Sequence, residues 1–405
     1  MKTFISWDQP VRPVRMRRGL SATKEDILNT ITMLKKDCHT IREIEHQPRM
    51  WEETFRIIDR RRDEIAGFFS RTGFDKASRI VFTGAGTSAF VADSAAAVFM
   101  KDGFSGARSV ATTDIVSAPE SFISPEDRFF VSFARSGNSP ESVAAYKMVR
   151  KLCHEAIHLI ITCNPDGHLA KEFDPEKDLV LVLPDGTNDR SLAMTSSYSS
   201  MLIASLLCKN IGSLDQEKAR LDTAIAFASA FLSDETEQKL ACFTEKKISR
   251  AVFLGSGPLK AVACECHLKL QELTDGQIMC SFDSFLGLRH GPKAVINEET
   301  LVVYLLSDDP YTRQYELDLV DQVKKQNRPA AQIVVSLAAS GLKEGVDLEI
   351  DAPAPVEGDY KIVPYVLVGQ VLGYFFSLSK GLDPDHPSVR GTISRVVSGV
   401  KIYDY

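Results

Sequence analysis

The chain has 405 residues, 44% of them hydrophobic, and its 48 Lys and Arg residues against 54 Asp and Glu residues give a formal net charge of −6. This composition is typical of a globular protein of two or three domains and excludes a disordered or fibrous chain. The mild acidity, without a sustained run of basic residues, argues against nucleic acid or a membrane surface as the main partner. The eight cysteines lack a CxxC pair, which predicts reduced thiols in a cytoplasmic protein.

The first 75 residues are predicted to form a tail followed by helices. Four arginines between positions 12 and 18 precede no apolar segment, so they indicate a solvated tail rather than a targeting signal. From residue 24 to residue 69, charged and apolar residues interleave at helical spacing around Pro48. The segment 1–75 is therefore expected to place helices ahead of the first domain.

Two parts of the chain resemble each other. Residues 79–86 (RIVFTGAG) correspond to residues 250–257 (RAVFLGSG) at an offset of 171 positions. The apolar runs 129–133 and 301–305 recur at nearly the same spacing, and each is followed by a serine. Two such coincidences indicate an internal duplication.

Each half contains short runs rich in Val, Ile and Leu, separated by helical stretches. Continuous apolar runs predict strands that are covered on both faces, as in a parallel sheet with crossover helices. The predicted fold class is therefore α/β, with two tandem doubly wound parallel-sheet domains at residues 76–213 and 246–382. A helical linker is expected over residues 214–245, and an extended tail over residues 383–405.

One uncharged run, residues 362–379, is long enough to be considered as a membrane span. It contains Pro364, Gly369, Gln370 and Gly373, and the rest of the chain is polar. An apolar helix in such a chain is typical of a helix buried between a sheet and a neighbouring subunit. We therefore expect a buried helix and no membrane partner.

Three turns rich in hydroxyl groups follow strands of the first half. At the carboxyl end of a parallel sheet, such turns present hydroxyls and the free amides of helix N-termini to an anion. Each turn alone is also explained as a helix cap, but three in successive units favour a phosphate site. The candidate residues are Thr87 and Ser88 in the first turn, Arg135, Ser136 and Ser139 in the second, and Ser196 and Ser197 in the third.

The duplicated half serves as an internal control for this site. There, residues 308–310 (DDP) stand where the first half has residues 137–139 (GNS). Two carboxylates would repel an anion, so only the first half is expected to hold phosphate.

A nicotinamide-binding domain is an alternative interpretation of the first turn. Gly84, Gly86 and Ala89 match the loose G-x-G-x-x-A fingerprint. The acidic residue expected about 20 positions later is missing, Asp114 being the nearest candidate. This alternative also leaves the other two hydroxyl-rich turns unexplained, so no nicotinamide or other cofactor is expected.

The second half carries different candidate groups. Glu265, Lys269 and Glu272 are spaced i, i+4 and i+7 and share one face of a predicted helix. They form either a solvated stripe of ion pairs or a polar face toward a ligand crevice, and the apolar residues around them favour the crevice. His290 lies in the loop LRHGP, and a lone histidine is usually structural. Ligand spacing for a metal is lacking, so no metal is expected.

Taken together, these motifs resemble a known family. The turns GAGTS and SGNS, the helix ECHLKLQE and the loop RHGP are similar to the sugar isomerase (SIS) domain pair in the isomerase half of glucosamine-6-phosphate synthase. The segments HQPRMW, FARSGNSPESVAA, AMTSS, LRHGPK, DPYTRQY and GTISRVVSGV more closely resemble the bacterial galactosamine-6-phosphate deaminases, also described as tagatose-6-phosphate ketose/aldose isomerases. The resemblance spans about residues 45 to 403.

The resemblance implies an enzyme of amino-sugar catabolism that converts galactosamine 6-phosphate to tagatose 6-phosphate and ammonia. It implies that Ser88, Ser136, Ser139 and one of Ser196 and Ser197 hold the phosphate. It further implies that Glu272 transfers the proton and that His290 opens the sugar ring, with Glu265 and Lys269 as neighbours in the site.

The resemblance also implies a homodimer or a dimer of dimers, in which the histidine loop reaches into the partner's site. In one respect this sequence departs from the synthase: the C-terminal catalytic lysine has no counterpart, and the tail offers Thr392 and Arg395 instead.

Two other functions stay open at this point. Plain ketose/aldose isomerisation of tagatose 6-phosphate uses the same proton transfer. A non-catalytic sugar-phosphate sensor would need a DNA-binding module, yet residues 1–75 show no basic recognition helix. A sensor would not require Glu272 and His290, which favours an enzyme.

Overall fold

The computed structural model describes residues 38–342, 345–397 and 399–405. The arginine-rich tail and the first part of the predicted N-terminal helical region lie outside the described residues. Helices α1 (His39–Glu45), α2 (Gln47–Arg60) and α3 (Arg62–Thr72) precede the first sheet. The apolar side of α2 is buried through Met50, Trp51, Phe55 and Ile58.

The first sheet is parallel and five-stranded within the described part of the chain, in the order β2-β1-β3-β4-β5. Every residue of β1, β3 and β4 is buried, which explains their continuous apolar runs. The strand order reverses between β1 and β3, so the turns after these two strands meet at one crevice. The strands are β1 (Ile80–Thr83), β2 (Ala107–Ser109), β3 (Phe129–Ala134), β4 (Ile157–Thr162) and β5 (Leu179–Val182). The helices of this half are α4 (Thr87–Lys101), α5 (Thr112–Ser117), α6 (Pro119–Phe122), α7 (Pro140–Leu152), α8 (His168–Lys171) and α9 (Ser196–Lys209), with a 3₁₀ turn at Asp185–Thr187.

Helical segments connect the two sheets. They are α10 (Leu214–Phe231) and α11 (Asp234–Ala241), flanked by 3₁₀ turns at Ile211–Ser213 and Cys242–Glu245.

The second sheet repeats the topology of the first. Its order is β10-β9-β8-β6-β7, with all strand pairs parallel. Read from β7, this is the order of the first sheet, as a duplication predicts. The strands are β6 (Arg250–Gly255), β7 (Met279–Asp283), β8 (Thr300–Leu306), β9 (Ala331–Ser336) and β10 (Leu348–Asp351). The helices are α12 (Pro258–Leu273), α13 (Phe285–Leu288), α14 (Pro310–Gln326) and α15 (Val366–Ser379), with 3₁₀ turns at Pro292–Val295 and Asp359–Tyr365. The predicted pair of doubly wound parallel-sheet domains is confirmed.

The apolar run near the C-terminus forms a buried helix. The segment Asp359–Ser379 is long and apolar enough to cross a membrane by composition, but 89% of its apolar window is buried inside the protein. Helix α15 packs directly on α12. Gly369 and Gly373 allow this close approach, because a Cβ at Gly369 would lie 2.5 Å from Cys266 Cα.

One hydrophobic core runs through both halves. It includes Phe82 and Phe133 of the first sheet, Phe253 and Val303 of the second, and α15 residues such as Leu372. The two sheets are therefore joined by shared packing as well as by the chain.

The predicted extended tail follows α15. Asp385 accepts hydrogen bonds from the N–H groups of His39 at 2.8 Å and Thr40 at 2.7 Å, so it anchors the tail to the start of α1. From there the chain continues as turns and extended segments toward the crevice of the first sheet.

Candidate active site

A cavity of about 680 Å³ lies at the crevice of the first sheet, a size suited to a small-molecule ligand. Its walls include the turn after β1, the turn after β3, the carboxyl-terminal end of α12 and the C-terminal tail. Thr113 of α5 and Leu192 and Met194 ahead of α9 also contribute to the lining. The site therefore combines both halves of the duplicated chain.

Three of the predicted phosphate-binding serines line this cavity: Ser88, Ser136 and Ser139. Ser88 stands in the first turn of α4, and Ser139 immediately precedes Pro140, the first residue of α7. The Ser139 hydroxyl makes no capping bond to its own helix, so it is available to a ligand. Two helix N-termini and three hydroxyls thus surround one space, which suits an anion.

Thr87 also lines the cavity, but its hydroxyl is engaged by the second half. Lys269 Nζ donates to Thr87 Oγ1 at 3.0 Å, and Thr87 Oγ1 donates to Glu265 Oε1 at 3.4 Å. Thr87 therefore links the turn after β1 to helix α12.

Three charged residues on α12 form a compact buried group. Lys269 Nζ lies 3.2 Å from Glu265 Oε1 and also bonds Glu272 Oε1. Glu265 and Lys269 are 0% and 1% exposed, which excludes the alternative of a solvated stripe. Glu272 reaches the cavity wall.

The pKa values within this group reflect burial and charge pairing. Burial raises the pKa of Glu265 to about 8, although Lys269 opposes the shift. Burial alone would lower the pKa of Lys269, but the carboxylates of Glu265 and Glu272 outweigh it and raise that pKa. Lys269 thus stays protonated and stabilises negative charge at the edge of the cavity.

Arg135 lines the cavity but binds the protein's own backbone. Its Nη1 donates to the carbonyl oxygens of Ser191, Leu192 and Ala193 at 3.3, 3.1 and 3.4 Å, and its Nη2 donates to the carbonyl oxygen of Arg395. Both terminal nitrogens therefore bind backbone carbonyl oxygens of the protein itself.

Ser196 and Ser197 lie outside the cavity lining. Both are fully buried, and their hydroxyls donate to Asp189, which also accepts their backbone N–H groups. The two serines therefore bind Asp189 at the N-terminus of α9. The structure does not bring the side chains of Ser196 and Ser197 to the other candidate residues.

His290 is also outside the cavity of its own chain. It is exposed just after α13, near the edge strand β7. Three apolar side chains of this region are exposed, namely Met279 at 64%, Phe282 at 37% and Leu286 at 44%.

The tail and the end of α12 contribute cavity residues beyond the predicted site residues. Thr392, Ile393, Ser394, Arg395 and Val397 line the cavity, and so do Gln271 and Asp275. The signal available in the sequence was weak: a Pro- and Gly-rich terminal stretch predicts an extended tail but not the surface that it covers.

The equivalent crevice of the second sheet is filled by its own side chains. Glu316 of α14 is fully buried, and its carboxylate accepts the N–H of Ser307 at 2.8 Å in the turn after β8. Arg313 donates to the Ser307 carbonyl and to Ser336 Oγ, at 2.6 Å each. An internal carboxylate thus occupies the turn that corresponds to the serine turn of the first half.

Comparison with known proteins agrees with this architecture. Residues 73–208 match the SIS domain model. The chain is 35% identical over 377 residues to a Shewanella protein named D-galactosamine-6-phosphate deaminase AgaS, covering 90% of this chain and 92% of that one. It is 36% identical over 369 residues to an Escherichia coli protein of the same name, covering 90% and 96%. It therefore belongs to the SIS-domain enzymes that isomerise or deaminate sugar phosphates.

A solved structure is similar to this chain over nearly its whole length. The tagatose-6-phosphate ketose/aldose isomerase from Escherichia coli superimposes with a TM-score of 0.81 at 32% identity, covering 92% of this chain and 98% of that one. With both kinds of relative aligned over nearly their whole length, the chain is a member of the D-galactosamine-6-phosphate deaminase AgaS family.

Proposed function

We propose that this protein converts galactosamine 6-phosphate to tagatose 6-phosphate and ammonia. The observation that carries the proposal is the placement of Glu272 in the same cavity as Ser88, Ser136 and Ser139. Hydroxyl-rich turns and a carboxylate on the walls of one cavity suit a ligand with phosphate at one end and a reacting carbon at the other. The names of the relatives at 35% and 36% identity support the choice of sugar.

In this proposal the phosphate is bound at the N-termini of α4 and α7. Their free amides and the three serine hydroxyls donate to its oxygens. Because the phosphate takes no part in the reaction, its binding energy serves to hold the reacting carbons against Glu272.

The chemistry is a proton transfer followed by hydrolysis. In the open-chain aldose, the Glu272 carboxylate removes the proton from C2, while the oxygen at C1 gains a proton, giving an enolamine. Return of a proton to C1 gives a ketimine at C2, and water then releases ammonia and leaves the ketose. Lys269, held between Glu265 and Glu272, stabilises the carboxylate form of the base.

Ring opening is assigned to His290 of a second copy of the chain. The supporting observation is that His290 is exposed, does not line the cavity of its own chain, and follows an edge strand with exposed Met279 and Phe282. A homodimer, alone or paired into a dimer of dimers, would cover these apolar side chains and deliver the histidine.

A second candidate is the isomerisation of tagatose 6-phosphate. The structural relative named tagatose-6-phosphate ketose/aldose isomerase favours it, and Glu272 would transfer the same proton when C2 carries a hydroxyl group in place of the amine. The two reactions differ in whether ammonia leaves.

The test is to incubate the purified protein with galactosamine 6-phosphate, glucosamine 6-phosphate and tagatose 6-phosphate in turn, and to measure ammonia and ketose or aldose separately. Equal amounts of ammonia and ketose from galactosamine 6-phosphate are expected. Conversion of tagatose 6-phosphate without ammonia release from any amino sugar would replace deamination by isomerisation. Binding of the sugars with no turnover would overturn both and indicate a sensor.

A further inference from the structure

The C-terminal tail forms a wall of the cavity but is held by few contacts. The part concerned is residues 388–397, here called the tail segment, which has no helix or strand. The N–H of Val389 donates to Asp275 Oδ2 at 3.3 Å, and Asp275 lies just beyond the end of α12 in a left-handed conformation with φ of 49°. Because the tail segment has no helix or strand and few hydrogen bonds to the rest of the protein, its conformation can change when a ligand binds in the cavity.

Two arginines hold the tail segment reciprocally. Arg135, in the phosphate turn, donates from Nη2 to the carbonyl oxygen of Arg395. Arg395 in turn donates from Nε to the carbonyl oxygen of Asp189 at 2.7 Å and from Nη2 to Asn188 Oδ1 at 2.7 Å. Within the described part of the chain, Arg395 Nη1 has no hydrogen-bond partner. A charged donor at the cavity wall is thus left over.

The charges around the cavity show why this donor matters. The lining acids are Glu141, Glu272 and Asp275, and the lining bases are Arg135 and Arg395. The terminal nitrogens of Arg135 are spent on carbonyl oxygens. The buried Lys269 is paired with two carboxylates. A dianionic ligand would therefore find at Arg395 a lining cation whose Nη1 has no partner among the described residues. The Arg395 backbone is bonded to Arg135 in the turn after β3.

We propose that Arg395 is a phosphate-binding residue, so that a phosphate ligand fastens the tail segment over the cavity. The guanidinium adds a charge-assisted hydrogen bond to those of the serine turns. Because Arg395 belongs to the tail segment, phosphate binding and the ordering of residues 388–397 are thermodynamically coupled. This inference rests on the proposed function only in taking the ligand to be a sugar phosphate.

The experiment is direct calorimetric binding of inorganic phosphate and of galactosamine 6-phosphate to the full chain and to two variants. Arg395→Gln is expected to weaken the binding of both ligands by about 10- to 100-fold, the usual cost of a charge-assisted hydrogen bond. Arg390→Gln is the matched control, because Arg390 is an exposed arginine of the same segment that does not line the cavity. The affinities of Arg390→Gln for both ligands should match those of the wild type. Equal phosphate affinity in Arg395→Gln and wild type would overturn the proposal.

Hydrogen exchange provides a second measurement that a purely structural role would not change. Inorganic phosphate should slow amide exchange in residues 388–397 of the wild type and of Arg390→Gln, but not of Arg395→Gln. Arg395→Lys, which keeps the charge, should restore part of the protection. Phosphate protection of equal size in Arg395→Gln would contradict the inference. Neither measurement needs turnover, so a wild type that releases no ammonia would refute the proposed reaction and leave this inference standing.

Discussion

Of Glu265, Lys269 and Glu272 on α12, Glu272 is the one placed to meet a ligand. Its side chain is 16% exposed, whereas those of Glu265 and Lys269 are 0% and 1% exposed. A base must reach the proton that it removes, and geometry decides this before pKa does. Glu265 is buried behind Lys269, which also bonds the Glu272 carboxylate at the cavity wall.

We predict that Glu272→Gln binds galactosamine 6-phosphate nearly as well as the wild type but loses proton transfer at C2. Loss of a general base should lower the rate by about 10²- to 10⁴-fold. Incorporation of deuterium from solvent at C2, followed by NMR, measures this step independently of ammonia release. Exchange at the wild-type rate would remove Glu272 from the role.

Ser136→Asp should affect substrate binding far more than the chemical step. A carboxylate in the phosphate turn would face a dianion, so KM is expected to rise by about 100-fold or more, with a much smaller change in kcat. Ser121→Asp adds the same charge at an exposed position outside the cavity, and it should leave KM unchanged. Equal effects of Ser136→Asp on KM and kcat would count against a phosphate contact.

Glu43 gives the molecule a pH-dependent stability. Its carboxylate accepts the N–H of Arg190 at 2.5 Å and the hydroxyl of Ser191, and burial together with the charge of Asp189 raises its pKa from 4.5 to about 7. Between these pH values the unfolded chain has released the proton and the folded protein has not. The stability contributed by the neutral form is therefore complete below pH 4.5 and is lost as pH rises through 7.

Glu43→Gln keeps a neutral side chain at all pH values and isolates this effect. The unfolding free energy of the wild type, minus that of the variant, should fall between pH 4.5 and 7, by at most about 1.4 kcal/mol per pH unit. Urea unfolding at several pH values measures it. A difference that is independent of pH would contradict the assigned titration.

The sequence indicated the cavity serines but not which hydroxyls are free. Ser139 immediately precedes α7 and Ser197 is the second residue of α9, so in sequence both are serines at the start of a helix. The difference comes from Asp189, a buried carboxylate in an irregular stretch that takes up the hydroxyl of Ser197. Arg135 is a similar case, because its partners, the carbonyls of residues 191–193 and 395, come together only through the tertiary fold.

At the scale of elements, the position of α12 depends on its contact with α15. A Cβ at Gly369 would meet Cys266 Cα at 2.5 Å, and one at Gly373 would meet the carbonyl oxygen of Lys269 at 2.9 Å. Both glycines therefore face the stretch of α12 that carries the charged group. We therefore expect that a shift of α15 moves α12 and, with it, the Glu272 side chain.

Gly369→Ala is expected to destabilise the protein by about 1–3 kcal/mol, the usual cost of overpacking a core, and to lower kcat. Gly67→Ala is the matched control, since Gly67 is an exposed residue of α3 with nothing within 4 Å of an added Cβ. It should stabilise the helix by up to about 1 kcal/mol. Thermal unfolding and steady-state kinetics on both variants check the prediction. A Gly369→Ala protein as stable and active as the wild type would show that α15 can move freely.

Apolar runs predicted the central strands, whereas the edge strands β2 and β7 contain no comparable run. Strand β2 has three residues, Ala107–Ser109, of which two are only partly buried. Strand β7 consists of exposed and partly exposed residues. Without burial on both faces, an edge strand has no continuous apolar run to identify it. For the central strands, the duplication strengthened the prediction, because apolar runs of the first half have counterparts in the second half.

At the scale of the whole molecule, the shared core predicts a single unfolding transition. Phe82 and Phe253, on different sheets, belong to one buried cluster that also contains α15. Separating the halves would expose this interior to water. Calorimetry should give one transition with equal calorimetric and van't Hoff enthalpies. Two separable transitions would mean that the halves fold independently.

The filled crevice of the second sheet has a consequence for how many ligand molecules one chain takes up. Duplicated folds often keep two equivalent sites, but here the Glu316 carboxylate lies in the turn where a second ligand would bind. A titration with substrate should therefore saturate at one equivalent per polypeptide, and a homodimer would carry two.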